Sequence, residues 1–171
     1  MLLHHHDLTI RPALPSDAPQ LVRWWNDGAV MAHAGFPLGL GTTIEKEAAR
    51  LPATGRLMLE YQSRSIGEMN WRDVGENTAE IGIKICETAM QERGLGRIYL
   101  SLLIGELFRR GFAKIVLDTN LNNTRAQHVY EKLGFQKTAI RENSWRDQLG
   151  RPQSAVDYAL TPPDFVDFTK E

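Results

Sequence analysis

The sequence predicts an α/β fold, a mixed and mostly antiparallel sheet with helices on both faces. Three observations carry that expectation. From Arg56 to Cys86, apolar and polar side chains alternate with period two in three runs split by short turns. Residues 94–110 then switch to helical spacing, with Leu95, Ile98, Leu102, Leu103, Leu107 and Phe108 forming the stripe. The nearly all-apolar run 113–119 is short enough to be a buried strand, lying parallel to its neighbour across that helix.

The elements follow in order. Leu8-Thr9-Ile10-Arg11-Pro12 alternates as a short strand, and Ser16-Asp17 offers N-caps for a helix that runs to about Asn26 and ends at Gly28. Residues 29–41 interleave Gly35, Pro37, Gly39 and Gly41 with Met31, His33 and Phe36, which reads as a loop with apolar contacts. A short helix covers about 43–51. The three alternating strands are 57–61, 65–71 and 79–85, with turns at 62–64 and 73–77. Gly111 stops the long helix, a second helix begins at Asn123, and 135–144 with 153–160 form a closing pair of strands. We expect one domain over 1–171, with 1–7 and 162–171 as loose termini.

Composition narrows the function. Twenty Lys plus Arg against 21 Asp plus Glu give a net charge of -1, so no basic field exists to hold nucleic acid. The absence of a long apolar run excludes a helical membrane span, and the start carries no basic leader, so a cytoplasmic protein is expected. The single Cys86 cannot form an internal disulfide and reads as a small buried residue rather than a nucleophile. His4 to His6 receive no function and no metal is expected.

Two glycine-punctuated blocks lie between Gln91 and Phe135. In the first, Gln91-Glu92-Arg93-Gly94-Leu95-Gly96, a strand hands over to a helix, whose free N–H groups and positive dipole end make a site for a diphosphate. Arg93 and Arg97 flank the glycines as charge partners. A dinucleotide fingerprint would need a third glycine where Tyr99 stands, and no Gly-Lys-Ser or Gly-Lys-Thr is present. The second block runs from Asn123, a helix N-cap, to Gly134-Phe135 and places Ala126, Tyr130 and Leu133 on one helical face. Each block alone has a packing explanation: a turn into a helix, and a core aromatic.

Together the blocks resemble the coenzyme A signature of the GNAT superfamily of acetyl-CoA-dependent N-acyltransferases, and the order of elements is similar over nearly the whole chain. The resemblance implies a GNAT acyl-CoA N-acyltransferase fold, acetyl-CoA as co-substrate, and direct attack by a primary amine in a ternary complex. It implies that Gln91, Glu92, Arg93, Gly94, Leu95, Gly96 and Arg97 contact the cofactor, with Asn123 and Ala126 beside its pantetheine arm. A main-chain N–H around Ile85 or Cys86 would polarise the thioester, and Tyr130 would protonate the leaving thiolate. The resemblance also allows a homodimer. A catalytically silent acyl-CoA-binding or sensing module is the alternative.

An amine with a pKa near 10 is protonated at neutral pH, so a base must be close. Glu80 is the first candidate: it interrupts an apolar strand and lies fourteen positions before Gly94, a spacing similar to that of the base in histone acetyltransferases of the superfamily. Glu68 and Glu142 follow. Trp25, Asp27, Phe36, Glu142 and Trp145 are the acceptor-site candidates, because aromatics mixed with carboxylates suit a small-molecule or peptide amine. The Trp-Trp-Asn-Asp segment at 24–27 resembles the branch holding ribosomal-protein N-terminal and aminoglycoside 6'-N-acetyltransferases.

Overall fold

Alternation along the central strands sends side chains to two apolar layers, and each helix settles on one of them. A computed structural model describes residues 1–170. Its eight strands are β1 (Leu3–His5), β2 (Leu8–Pro12), β3 (Arg56–Tyr61), β4 (Arg64–Gly75), β5 (Thr78–Ile85), β6 (Lys114–Asn120), β7 (Gln136–Arg146) and β8 (Pro152–Leu160). They form one sheet in the order β1-β2-β3-β4-β5-β6-β8-β7. Only β5 and β6 run parallel; the crossover between them is α4 (Leu95–Arg109). The remaining helices are α1 (Ala18–Trp25), α2 (Gly28–Met31), α3 (Ile44–Arg50) and α5 (Thr124–Lys132).

One layer joins Leu57, Leu59, Met69, Ile81 and Ile115 of the sheet to Tyr99, Leu103 and Leu107 of α4 and Tyr130 of α5. The opposite layer joins Met58 and Cys86 to Leu21, Trp24 and Trp25 of α1 and Met31 of α2. Helices therefore cover both faces, as the sequence predicts. Leu103 is fully buried, and truncating such a leucine to alanine costs about 2–5 kcal/mol.

The strands outrun their predicted ends because the turns are tighter than composition suggests. Gln62-Ser63 and Glu76-Asn77 are two-residue turns in which all four residues are left-handed, the geometry that matches strand twist. The expected turn at 73–77 thus shrinks to two residues and β4 extends to Gly75. Gly28 opens α2 instead of ending α1, which stops at Trp25. It is glycine because the Pro37 carbonyl oxygen sits 1.9 Å from where a Cβ would stand.

Both terminal segments that the sequence reads as loose make contacts with the rest of the fold among the described residues. Leu3–His5 pairs with β2. At the other end Phe165 packs edge-on against Phe108, and the Val166 and Phe168 amides donate to the Leu133 carbonyl and the Ser101 hydroxyl, both at 3.0 Å. Glu171, included in the expected loose tail, lies outside the described residues.

What positions the site is a failure of pairing. β5 and β6 are in register only at Thr78↔Lys114, Ala79↔Ile115 and Glu80↔Val116. Beyond that point β5 stays with β4 as far as Ile85 and β6 stays with β8 as far as Asn120. The strands part, and a cleft opens between them.

Candidate active site

The cleft has a volume of about 1230 Å³. One wall is Gly82 to Ile85 of β5, unpaired with β6 along this edge; the other is Asp118 to Asn120 of β6. The Cys86 amide donates to the Ile66 carbonyl at 2.9 Å, whereas the Ile85 carbonyl accepts from Gln91 Nε2 at 2.9 Å, away from β4. Amides alternate along a strand, so the N–H groups of Ile83 and Ile85 also turn from β4 toward the cleft. Ile85 lines the cleft. Cys86 does not: its amide is spent on Ile66, its side chain is buried in the opposite layer, and burial, helped by the Glu68 charge, pushes its thiol up.

All seven residues from Gln91 to Arg97 line the cleft. The chain enters α4 through two left-handed residues, Glu92 (φ 59) and Gly94 (φ 75), and Gly94 occupies the N-cap. A Cβ at Gly96 would meet nothing within 4 Å, so packing does not demand glycine there. The space it leaves belongs to the cleft, over the first turn of the helix. The Arg97 guanidinium lies against Gly94, with Nε 3.4 Å from where a Cβ would be. That Nε is buried and, among the described residues, lacks a hydrogen-bond partner. An orphaned cationic donor beside a helix N-terminus fits the diphosphate of coenzyme A. Gln91 ties the loop to β5, and Arg125 of α5 ties it in turn through Gln91 (3.2 Å) and Glu92 (3.6 Å).

Asn123 caps α5, accepting from the Ala126 amide at 3.2 Å, and both residues line the cleft with Tyr130. Tyr130 is 5 % exposed and packed edge-on against Phe135 and Tyr158. Burial raises its hydroxyl above the ordinary phenol value, and the charge of Asp118 adds to the effect. Tyr130 is thus a core aromatic that also reaches the cleft.

The carboxylates sort differently from the sequence expectation. Glu80 lies where β5 and β6 are still paired, is absent from the cleft lining, and makes an ion pair with Arg72 at 2.8 Å. Glu142 is exposed on β7, outside the lining. Glu68 is buried on the far face of the sheet with Arg56 at 2.8 Å and borders a separate cavity of about 240 Å³. Two carboxylates line the cleft, Glu92 in the loop before α4, which pairs with Arg125, and Asp118 in the β6 wall. Arg141 Nη2 bridges it to Asp157, at 2.9 Å to each.

Of the acceptor candidates only Trp145 lines the cleft. Trp25 and Phe36 border the smaller cavity, with Arg56 over the Trp25 ring at 5.2 Å. Asp27 caps α2 through the Ala29 amide, 2.9 Å away. The cleft lining instead includes Ala29, Val30, His33 and Ala34, with Lys84, Asn120, Arg141 and Trp145. The adjoining loop is held by Gln148, whose amide donates to the Gly35 carbonyl (2.8 Å) and whose side chain binds the Leu38 amide and Gly39 carbonyl (2.9 Å each). Sequence reasoning missed Asp118 and Arg141. The signal for Asp118 was a carboxylate at the C-terminal end of an otherwise apolar strand.

Fold and cleft together define an acyl-CoA N-acyltransferase architecture. The family model described as the acetyltransferase (GNAT) domain matches residues 7–136. A ribosomal protein bS18-alanine N-acetyltransferase of Haemophilus ducreyi is 34% identical over 131 residues, covering 68% of this chain and 88% of that protein. The chain belongs to the GNAT acetyltransferase family. The enzyme of that name from Escherichia coli K12 is 39% identical over 66 residues, which cover 39% of this chain and 45% of its own length, so the chain spans under half of that relative. In fold, the chain is similar to RimL, a ribosomal L7/L12 alpha-N-protein acetyltransferase in complex with coenzyme A (TM-score 0.84, 16% identity, 94% of this chain and 98% of that one). It is also similar to yncA of Salmonella typhimurium with acetyl-CoA (TM-score 0.71, 24% identity, 91% and 94%). Among the described residues no helix is long and apolar enough to cross a membrane.

Proposed function

We propose that this protein transfers the acetyl group of acetyl-CoA to a primary amine by direct attack in a ternary complex, with Asp118 as proton acceptor and Tyr130 as proton donor. The observation that carries it is the parting of β5 and β6, which brings two strand amides turned away from β4, the Asp118 carboxylate and one buried phenol to a single cleft. Residues 91–97 would hold the donor's diphosphate, and Asn123 and Ala126 would flank its pantetheine arm. The donor, when bound, supplies an acyl group activated as a thioester.

The residues of the chain do the rest. Asp118 attracts the acceptor ammonium and takes one proton from its nitrogen, freeing the lone pair for attack. An incoming cation displaces Arg141 Nη2 from Asp118, while the Nε of Arg141 stays on Asp157 at 3.0 Å. The Ile83 and Ile85 amides stabilise charge on the carbonyl oxygen as the carbon–nitrogen bond forms. Tyr130 Oη gives its proton to the sulfur as the carbon–sulfur bond breaks, the second proton on the acylated nitrogen returns to the Tyr130 phenolate, and Asp118 releases its proton to solvent. A phenol stays protonated at neutral pH, so the proton is available when the thiolate leaves.

For the acceptor we infer a protein N-terminal α-amine. The support is the relatives named as ribosomal-protein N-acetyltransferases. Such an amine, with pKa ~8, also needs less help from a base than an alkylamine. The test is release of free thiol from acetyl-CoA across a panel of peptides with free N-termini, polyamines, aminoglycosides and amino acids. Turnover with peptides and little with the rest supports the reading; tight coenzyme A binding with no turnover on any amine would make the protein a silent acyl-CoA-binding module.

A further inference from the structure

Beyond Pro162-Pro163 the chain turns back over the helical layer. The Asp164 carbonyl oxygen packs 1.9 Å from where a Cβ at Gly134 would be, and the Val166 amide donates to the Leu133 carbonyl. Phe165 then meets Phe108 of α4, with ring centroids 5.8 Å apart. A local turn follows, in which Asp167 Oδ1 accepts from the Thr169 amide (2.9 Å) and hydroxyl (2.6 Å). The Phe168 amide donates to Ser101 Oγ at 3.0 Å, giving a serine that is 1 % exposed in the middle of an apolar helix its one partnered role. Ser101 lies four residues after Arg97, one turn along the same helical face. The anchor therefore delivers the Phe168 ring to Arg97, whose Cζ sits 4.7 Å from the ring centroid.

We propose that Phe168 is a positioning residue for donor binding: its ring holds the Arg97 guanidinium over Gly94, ready for the phosphates of coenzyme A. The proposal rests on the donor-loop reading above. An arginine has long, freely rotating bonds, and ordering it only when the ligand arrives costs affinity. A carboxylate partner would order the side chain but consume its charge. An aromatic face orders it by stacking and leaves the in-plane N–H donors free. Arg97 shows that combination, a stacked guanidinium with an unpartnered Nε.

The experiment compares Phe168→Leu, which keeps bulk and the amide to Ser101, with Phe168→Tyr, which keeps the ring. Coenzyme A affinity is read by calorimetry, and KM is read for acetyl-CoA and for acetyl-pantetheine, which lacks the diphosphate. Phe168→Leu is expected to weaken coenzyme A binding about fivefold, with kcat and the acetyl-pantetheine KM unchanged, while Phe168→Tyr matches the parent. In an Arg97→Ala background Phe168→Leu has no further effect. If Phe168→Leu does not fold, Ser101→Ala replaces it, with a loss of about twofold expected and the same background control. Unchanged coenzyme A affinity in the folded variant, or an equal loss with acetyl-pantetheine or in the Arg97→Ala background, overturns the proposal and leaves the tail a packing element. A parent protein that binds no coenzyme A brings down the donor-loop reading first, and this inference with it.

Discussion

The two halves of the cleft are made in different ways. The donor half comes from two stretches of chain, 85–97 and 123–130, and its chemistry is mostly backbone: a left-handed entry at Gly94, the open space at Gly96, the N-termini of α4 and α5, the amides of β5. The half proposed for the acceptor gathers Ala29, Val30, His33, Ala34, Lys84, 118–120, Arg141 and Trp145, and Gln148 reaches back to the adjoining loop at Gly35, Leu38 and Gly39. Backbone sites tolerate little change of sequence, whereas a surface assembled from side chains on distant loops can change without disturbing the fold. In the function proposed above, the half built from backbone holds the donor and the half built from distant side chains chooses the acceptor.

The largest expected effect strikes the donor half. Gly96→Glu places a carboxylate where the diphosphate would lie, and at a few kcal/mol of repulsion should weaken coenzyme A binding roughly 100-fold or more. The open space at that position lets the variant fold. Calorimetry beside a melting curve checks both; retained affinity would place the diphosphate elsewhere.

Next comes the boundary between the halves. Asp118→Asn should lower kcat about 100-fold at neutral pH with the acetyl-CoA KM unchanged, and activity should recover as pH rises and the amine loses its proton unaided. Glu80→Gln is the matched control, expected to do nothing because its carboxylate pairs with Arg72 outside the cleft. If the control loses activity and Asp118→Asn does not, the base assignment reverses.

Tyr130→Phe should lower kcat about tenfold while coenzyme A affinity holds. With the phenol raised above its ordinary 10.0, the parent should show no alkaline fall in kcat from this group below that pH. The same shift means that the folded state holds the proton more tightly than the unfolded chain. Its contribution to stability is therefore intact below pH 10.0 and lost as pH climbs beyond it. Denaturation curves at pH 9 and above, for parent and Tyr130→Phe, measure the difference; an equal alkaline loss in both would assign it to Tyr99, Tyr158 and Cys86, likewise buried and raised.

The smallest effect belongs to the acceptor rim. Gln148→Ala removes two side-chain hydrogen bonds to the 35–41 loop and should raise the acceptor KM about threefold, leaving coenzyme A affinity alone. Steady-state kinetics with a saturating donor checks it, and a donor effect of equal size would merge the two halves into one unit.

Local pattern determined much of this protein. Period-two alternation gave the central strands, helical spacing gave α4, and the blocks at Gln91 to Gly96 and Asn123 to Tyr130 marked the donor half, because their geometry is set by neighbours a few residues apart. What the tertiary structure decided involves separations that no local pattern encodes. Asp118 becomes a cleft carboxylate only because β6 leaves β5 after Val116, and Glu80 fails to because it sits two positions before Gly82, where pairing persists. Trp25 and Phe36, equal to Trp145 by composition, border a different cavity, which shares Lys84 with the cleft. The tail after Pro162-Pro163 reads as loose until Leu133 and Ser101 are found to receive its amides. Residue type sets which chemistry a side chain can perform. Where the strands part sets which side chains meet.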